Sequence, residues 1–188
     1  FHKAKSSKEE EQDPSKETPE ETLQKSYESI RGDLASQIVQ RIASNSPQFF
    51  ERLVVDFMVA MRYGGSRADE GKSIGGSGDE GVDGIIKEDR LGLDLVYLQA
   101  KRWEGTVGRP EVQKFVGALH GKRAKKGVFI TTGKFSEEAK NYVETIDPKV
   151  ILIDGRMLAE LMIDYGLGTT TAATFQVKRI DSDYFTEE

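Results

Sequence analysis

Residues 75–101 read GGSGDEGVDGIIKEDRLGLDLVYLQAK, and the fold turns on how this stretch pairs with itself. Val82-Asp83-Gly84-Ile85-Ile86 and Leu93 to Lys101 are two apolar runs flanking the polar turn Lys87-Glu88-Asp89-Arg90-Leu91-Gly92, the pattern of a β-hairpin. Val96, Leu98 and Ala100 alternate with Leu95, Tyr97, Gln99 and Lys101, so Gln99 and Lys101 share one strand face. Antiparallel partners have a constant position sum, and a turn centred on Leu91 makes it 182, which sets Asp83 opposite Gln99. Cross-strand Cβ atoms lie about 4.5–5.5 Å apart. One face then carries a carboxylate, an amide oxygen and an ammonium: hard oxygens for a divalent cation beside a cation that orients water or offsets an oxyanion. A slip of one residue dissolves the cluster. Spacing alone leaves open an ordinary wet sheet face.

The 188 residues are 37% hydrophobic and 31% charged, with net charge −5, which predicts one domain of ordinary size plus an appendage. Cysteine is absent, which excludes disulfides and thiolate metal sites. His2 and His120 are the only histidines, too few for an imidazole-ligated zinc centre. No apolar run approaches the roughly 18 residues of a membrane span and no signal peptide is visible, so the expected setting is soluble and cytoplasmic. A start at Phe1 in a polar segment reads as a piece of a longer protein.

Phe1 to Pro19 is charged and cannot bury a core. A helix is predicted from Thr18-Pro19, with Leu23, Tyr27, Ile30, Leu34, Ile38 and Ile42 on one stripe; it connects to the main domain or to a partner. Ser46-Pro47 starts a second helix, whose apolar face is Phe50, Leu53, Val54, Phe57 and Met61. Glu51 falls at the edge of that face, as a solvated rim residue or as an inward metal or water ligand. Gly64 to Gly81 holds seven glycines. Its Gly71-Lys72-Ser73 lacks the earlier glycine and following helix of a nucleotide-binding P-loop, so a loop leading into the site is expected. Beyond Lys101 the pattern predicts a loop to Arg109, a helix from Pro110 to about Gly121, a strand Gly127–Thr132, a helix capped by Ser136, a strand Val150–Ile153, a helix Arg156–Tyr165 and an edge strand Thr174–Ile180. Strands alternating with helices imply a mixed sheet with helices on both faces.

From Gln99 to Lys126 there are eight basic residues, Lys101, Arg102, Arg109, Lys114, Lys122, Arg123, Lys125 and Lys126, against Glu104 and Glu111. Such an excess suits a phosphate backbone, although cations also favour a helix C-terminus. Trp103 either stacks on a base or sugar or covers the core.

Ser46-Pro47 with Phe50-Glu51, Gly75 to Gly84, Tyr97-Leu98-Gln99-Ala100-Lys101-Arg102-Trp103, Val107 to Gln113, Lys126 to Thr132, Asp154-Gly155 and Asp181 to Phe185 together resemble the catalytic domain of Mrr-type restriction endonucleases. These are a branch of the PD-(D/E)XK nuclease superfamily, and the resemblance covers roughly Pro47 to Phe185. It implies an α/β restriction-endonuclease-like core, a connecting segment at 1–45 that follows a winged-helix DNA-binding domain, and a nuclease domain at 46–188. It also implies a Mg²⁺- or Mn²⁺-dependent endonuclease, acting as a homo-oligomer on foreign or methylated double-stranded DNA. Asp83 matches the family's metal-binding aspartate, Gln99 and Lys101 its Gln-x-Lys pair, and Glu51 the acid on the first helix. Asp83, Gln99, the Ala100 carbonyl and Glu51 are then the expected metal ligands and Lys101 the water-orienting cation. Arg102, Trp103, Arg109, Gln113, Lys114, Lys122, Arg123, Lys125 and Lys126 are the expected DNA contacts. A non-cleaving DNA-binding or assembly module and a junction resolvase are the competing readings.

Overall fold

The structure, a computed structural model, describes residues 17–63, 81–89 and 91–186. The tail before Glu17 and the loop 64–80, with Gly71-Lys72-Ser73 and the glycine-rich approach at 75–80, lie outside the described residues.

Pro19–Ala43 forms α1, opened by a Thr18–Glu21 capping box that satisfies two end donors at once. Pro47–Ala60 forms α2 behind its Ser46 cap. The hairpin is β1, Gly84–Lys87, and β2, Leu95–Lys101. Then come β3 (Thr106–Val107), α3 (Arg109–Gly121), β4 (Lys126–Thr131), β5 (Lys134–Phe135), α4 (Glu137–Glu144), β6 (Lys149–Ile153) and α5 (Gly155–Asp164). A four-stranded sheet runs β1-β2-β4-β6, with β1 antiparallel to β2 and the remaining pairs parallel.

The register is the one the hairpin pattern predicts: Gly84 pairs with Leu98 and Ile86 with Val96, so the position sum is 182. Alternation then divides the core in two. Ile86, Val96, Leu98 and Ile130 face Phe50, Leu53, Val54, Phe57 and Met58 of α2, with α5 and the second half of α1 beside them. Ile85, Tyr97 and Phe129 face Val112, Phe115, Val116 and Leu119 of α3, with α4 adjacent. Phe115, Phe129 and Phe135 stack edge to face at 5.5 Å between successive centroids, a preferred aromatic geometry. Phe57 is wholly buried. Phe57→Ala is therefore expected to lower unfolding free energy by about 3–5 kcal/mol, read by urea denaturation.

Only the second half of the α1 stripe is used by this domain. Ala35, Ile38 and Ile42 are buried in the α2 core, whereas Leu23, Tyr27 and Ile30 are exposed. Arg31 ties the helix to α5, bonding Asp164 Oδ1 at 2.6 Å and the Glu160 carbonyl at 3.2 Å.

Two local expectations differ from the structure. The two-stranded sheet of β3 and β5 is made of two-residue strands, too short to show a period. Thr174–Ile180, predicted as an edge strand, has no regular secondary structure, and Phe175, Val177 and Ile180 are exposed. Its alternation reflects β propensity without a pairing partner, and propensity alone does not hold a strand.

Candidate active site

Asp83 stands one residue before β1, and its N–H donates to the Leu98 carbonyl at 2.8 Å. That bond falls on the carbonyl of Gly84's own partner, one position off the register, and ties Asp83 to β2 at the end of the ladder. Asp83 Oδ2 accepts from Gln99 Nε2 at 2.6 Å and from the Ala100 N–H at 2.7 Å. Among the described residues, the second oxygen of Asp83 and Oε1 of Gln99 are left as acceptors. A strand residue's N–H and C=O leave on the same side, so the Ala100 carbonyl also points toward Asp83. Gly81, beside Gln99 Oε1, sits at φ +90°, a conformation that side chains rarely adopt.

Lys101 is two residues further along the same face. Its Nζ lies 4.4 Å from the centroid of the Trp103 ring and donates to Glu111 Oε2. Glu111 Oε1 accepts from Lys114 Nζ at 2.7 Å. Hydrogen bonds from Lys101 first, then Lys114, hold the Glu111 carboxyl below its ordinary value near 4.5. The stabilising effect of a depressed acid is complete above its unfolded pKa and is lost as pH falls through the lower folded value, so this pair weakens only below about pH 4.5.

The loop after Lys101 is held by two threonines at the end of β4. Thr131 is fully buried; its Oγ1 donates to the Lys101 carbonyl at 2.8 Å and accepts from the Gly133 N–H at 3.2 Å. Thr132 Oγ1 accepts from the Trp103 N–H at 2.9 Å and donates to the Trp103 carbonyl at 3.0 Å. Any Cβ at Gly133 would stand 2.2 Å from the Gly105 carbonyl oxygen, so only glycine lets this loop close. Thr131→Val keeps the shape but strands both bonded backbone groups, and is expected to lower unfolding free energy by about 1–3 kcal/mol, measured by denaturant titration.

Residues 42–162 match the restriction endonuclease family Mrr_cat. The chain belongs to that family. It is 41% identical over 170 residues to the type IV methyl-directed restriction enzyme EcoKMrr of Escherichia coli (strain K12), covering 90% of this chain and 55% of that protein. The chain thus spans about half the length of that relative. The DNA modification-dependent restriction endonuclease AspBHI superposes with a TM-score of 0.55 at 19% identity, over 74% of this chain and 37% of that one, which shows a shared fold. MspJI, solved with a 27-mer oligonucleotide, gives 0.42 at 23% identity over 79% and 34%.

Within this Mrr_cat domain the expected site residues separate. Asp83, Gln99, Ala100 and Lys101 come together. Glu51 is exposed on α2, which packs on the face that carries Val96 and Leu98. The acid that touches Lys101 is Glu111, from α3. Sequence reasoning missed it because a first-turn glutamate reads as complementing the helix dipole, and no spacing rule links it to a lysine across an irregular loop.

The basic residues separate too. Trp103 and Lys114 lie at the Lys101 end. Arg102 donates to the carbonyls of Ala43 and Asn45 at 3.1 and 2.5 Å, which docks the α1–α2 junction onto the end of β2. Arg109 and the exposed Gln113 are on the first turns of α3, with the Arg109 guanidinium 5.0 Å from the Tyr142 ring centroid. Lys122, Arg123 and Lys125 follow the other end of α3, which its 13 residues carry about 20 Å along. Lys126 opens β4 five residues before Thr131, about 16 Å away along the strand. It pairs with Glu88 and, at 3.0 Å, with Asp94, so it closes the hairpin onto β4.

Among the described residues no group of three or more His, Cys, Asp or Glu is placed to hold a metal ion. A cation beside Asp83 would have one carboxylate, one amide oxygen and one carbonyl, with water completing its shell. That donor set fits Mg²⁺, which keeps several waters. No described helix is long and apolar enough to cross a membrane.

Proposed function

We propose that this domain hydrolyses phosphodiester bonds in foreign or methylated double-stranded DNA, using Mg²⁺ or Mn²⁺. The observation that supports the reading is the hairpin register, which sets Asp83 against Gln99 and the Ala100 N–H, with Lys101 two residues on along the same strand face. Asp83, Gln99 and Ala100 would hold the metal, which polarises the phosphate and acidifies bound water. Lys101 orients the attacking water, whose oxygen bonds to phosphorus as the bridging ester bond breaks, and its charge offsets the negative charge of the pentacovalent transition state. Trp103, Lys114, Arg109 and Gln113 line the strand's approach. Arg102, besides clasping the helix junction, lies beside the same path. Lys122, Arg123, Lys125 and Lys126 would meet DNA further along, at the opposite end of the sheet. Glu51, exposed on α2, would add its negative charge to the metal directly or through water.

Each site cuts one strand, so a break in both calls for a homo-oligomer, and a winged-helix domain in the full protein would supply target recognition. The deciding experiment incubates methylated and unmethylated plasmid with the protein in Mg²⁺, Mn²⁺ or EDTA. Nicking or linearisation of the methylated plasmid that vanishes in EDTA supports the reading. Cleavage surviving EDTA would overturn it. Binding without nicking would favour a non-cleaving module, and preference for branched over methylated DNA a junction resolvase.

A further inference from the structure

Among the described residues, the acid that pairs with Lys101 is Glu111, none of the expected metal ligands. We infer that Glu111 is a positioning residue that holds the Lys101 ammonium over the site for phosphodiester hydrolysis; the inference rests on the nuclease reading above. Lysine has a flexible four-carbon stem and carries about 2 kcal/mol of rotamer entropy. A cation that must meet one water and one phosphoryl oxygen therefore needs its position fixed beforehand. Two groups fix it here. Glu111 Oε2 accepts one N–H and the Trp103 ring lies 4.4 Å beneath Nζ, which leaves the other ammonium protons for water and phosphate.

The post is rigid. Glu111 is in the first turn of α3, next to Val112, which is 0% exposed in the Phe115–Phe129 core. The lysine and glutamate side chains are 31% and 23% exposed, so water only partly screens the pair. Metal ligation is the alternative use for a carboxylate in this place. Both Glu111 oxygens already accept from ammonium groups, Lys101 and Lys114, and two cations on one carboxylate leave a net positive cluster that repels a divalent ion. A carboxylate facing a DNA path also opposes phosphate binding. Its presence there is explained by what it does to Lys101, and not by affinity.

The two signs separate the roles. Glu111→Gln is expected to bind DNA in EDTA as tightly as wild type, or up to several-fold more tightly. Its single-turnover cleavage in Mg²⁺ is expected to be slower by about 10- to 100-fold, the scale of a misplaced catalytic group. The Mg²⁺ concentration at half-maximal rate should stay unchanged. Independently of cleavage, amine acylation read by mass spectrometry should modify Lys101 several-fold faster in Glu111→Gln than in wild type. Should the glutamine variant unfold, Glu111→Asp, which withdraws the charge by one methylene, takes its place and should lie between the two on both readouts. Equal acylation of Lys101 in wild type and variant, an unchanged cleavage rate, or a raised Mg²⁺ requirement would each overturn the inference. A wild type that never cuts overturns the nuclease reading instead, while acylation still shows whether Glu111 holds the lysine.

Discussion

Lys101→Ala is expected to reduce single-turnover cleavage of methylated plasmid by about 10²–10³-fold, the loss seen when one preorganised transition-state donor is removed. Much smaller changes are expected in folding and in DNA affinity. The Lys101 side chain is 31% exposed and its partner Glu111 keeps Lys114 at 2.7 Å. Deletion of Lys101 therefore strands no buried charge, and an ion pair at such partial exposure is worth no more than about 1 kcal/mol. One phosphate contact fewer changes the slope of log affinity against log salt by about one unit. The loss should thus fall on kcat, with KM nearly constant, which marks an interaction made chiefly in the transition state. Lys101→Arg should rescue poorly, because a planar fork does not occupy the place of a compact ammonium between Glu111 and the Trp103 ring. Rate, denaturation midpoint and filter-binding affinity measured on one preparation check all three statements. A rate within two-fold of wild type would remove Lys101 from the chemistry.

What could be read in advance follows from the range of each interaction. The site core was legible because a hairpin is a local object: the turn at Leu91 fixes the sum, and the sum fixes Asp83 against Gln99. Helix starts at Ser46 and Ser136 were legible for the same reason, since each caps within three residues. Glu111 was not, because its place beside Lys101 depends on how α3 packs on Phe129. Helical spacing set Glu51 at the rim of the α2 apolar face, where it is exposed, but says nothing about which face of the sheet α2 covers. Adjacency in sequence does not give the layout of the basic residues: Lys114 pairs with Glu111 on α3, whereas Lys126 opens β4 and pairs with Glu88 and Asp94. Thr174–Ile180 has the composition of a strand, and the edge it would need belongs to tertiary structure.

Gln99→Glu is expected to change metal affinity and metal-free stability in opposite directions. Gln99 Nε2 now donates to Asp83 Oδ2 at 2.6 Å; a glutamate replaces that donor with a second carboxylate at hydrogen-bond distance. Without metal the variant loses a charge-assisted bond and gains like-charge repulsion, together about 1–3 kcal/mol of stability at neutral pH. Repulsion raises the pKa of the shared proton. A group whose folded pKa is raised stabilises the fold at low pH, and that stability is lost as pH rises through the raised value. The deficit in EDTA should therefore shrink toward acid pH, where one proton bridges the two carboxyls, and be full once both are ionised. With Mg²⁺ the sign reverses. Two carboxylates in place of a carboxylate and an amide should tighten binding by at least about 10-fold, roughly 1.4 kcal/mol, and the metal-induced rise in denaturation midpoint should exceed that of wild type. Calorimetric titration of Mg²⁺ and thermal unfolding in EDTA and in Mg²⁺, each at pH 5 and pH 8, test both halves. Equal Mg²⁺ affinity in the two proteins would mean that the amide oxygen of Gln99 does not face the metal, and would leave Asp83 and the Ala100 carbonyl as the only protein ligands on this hairpin.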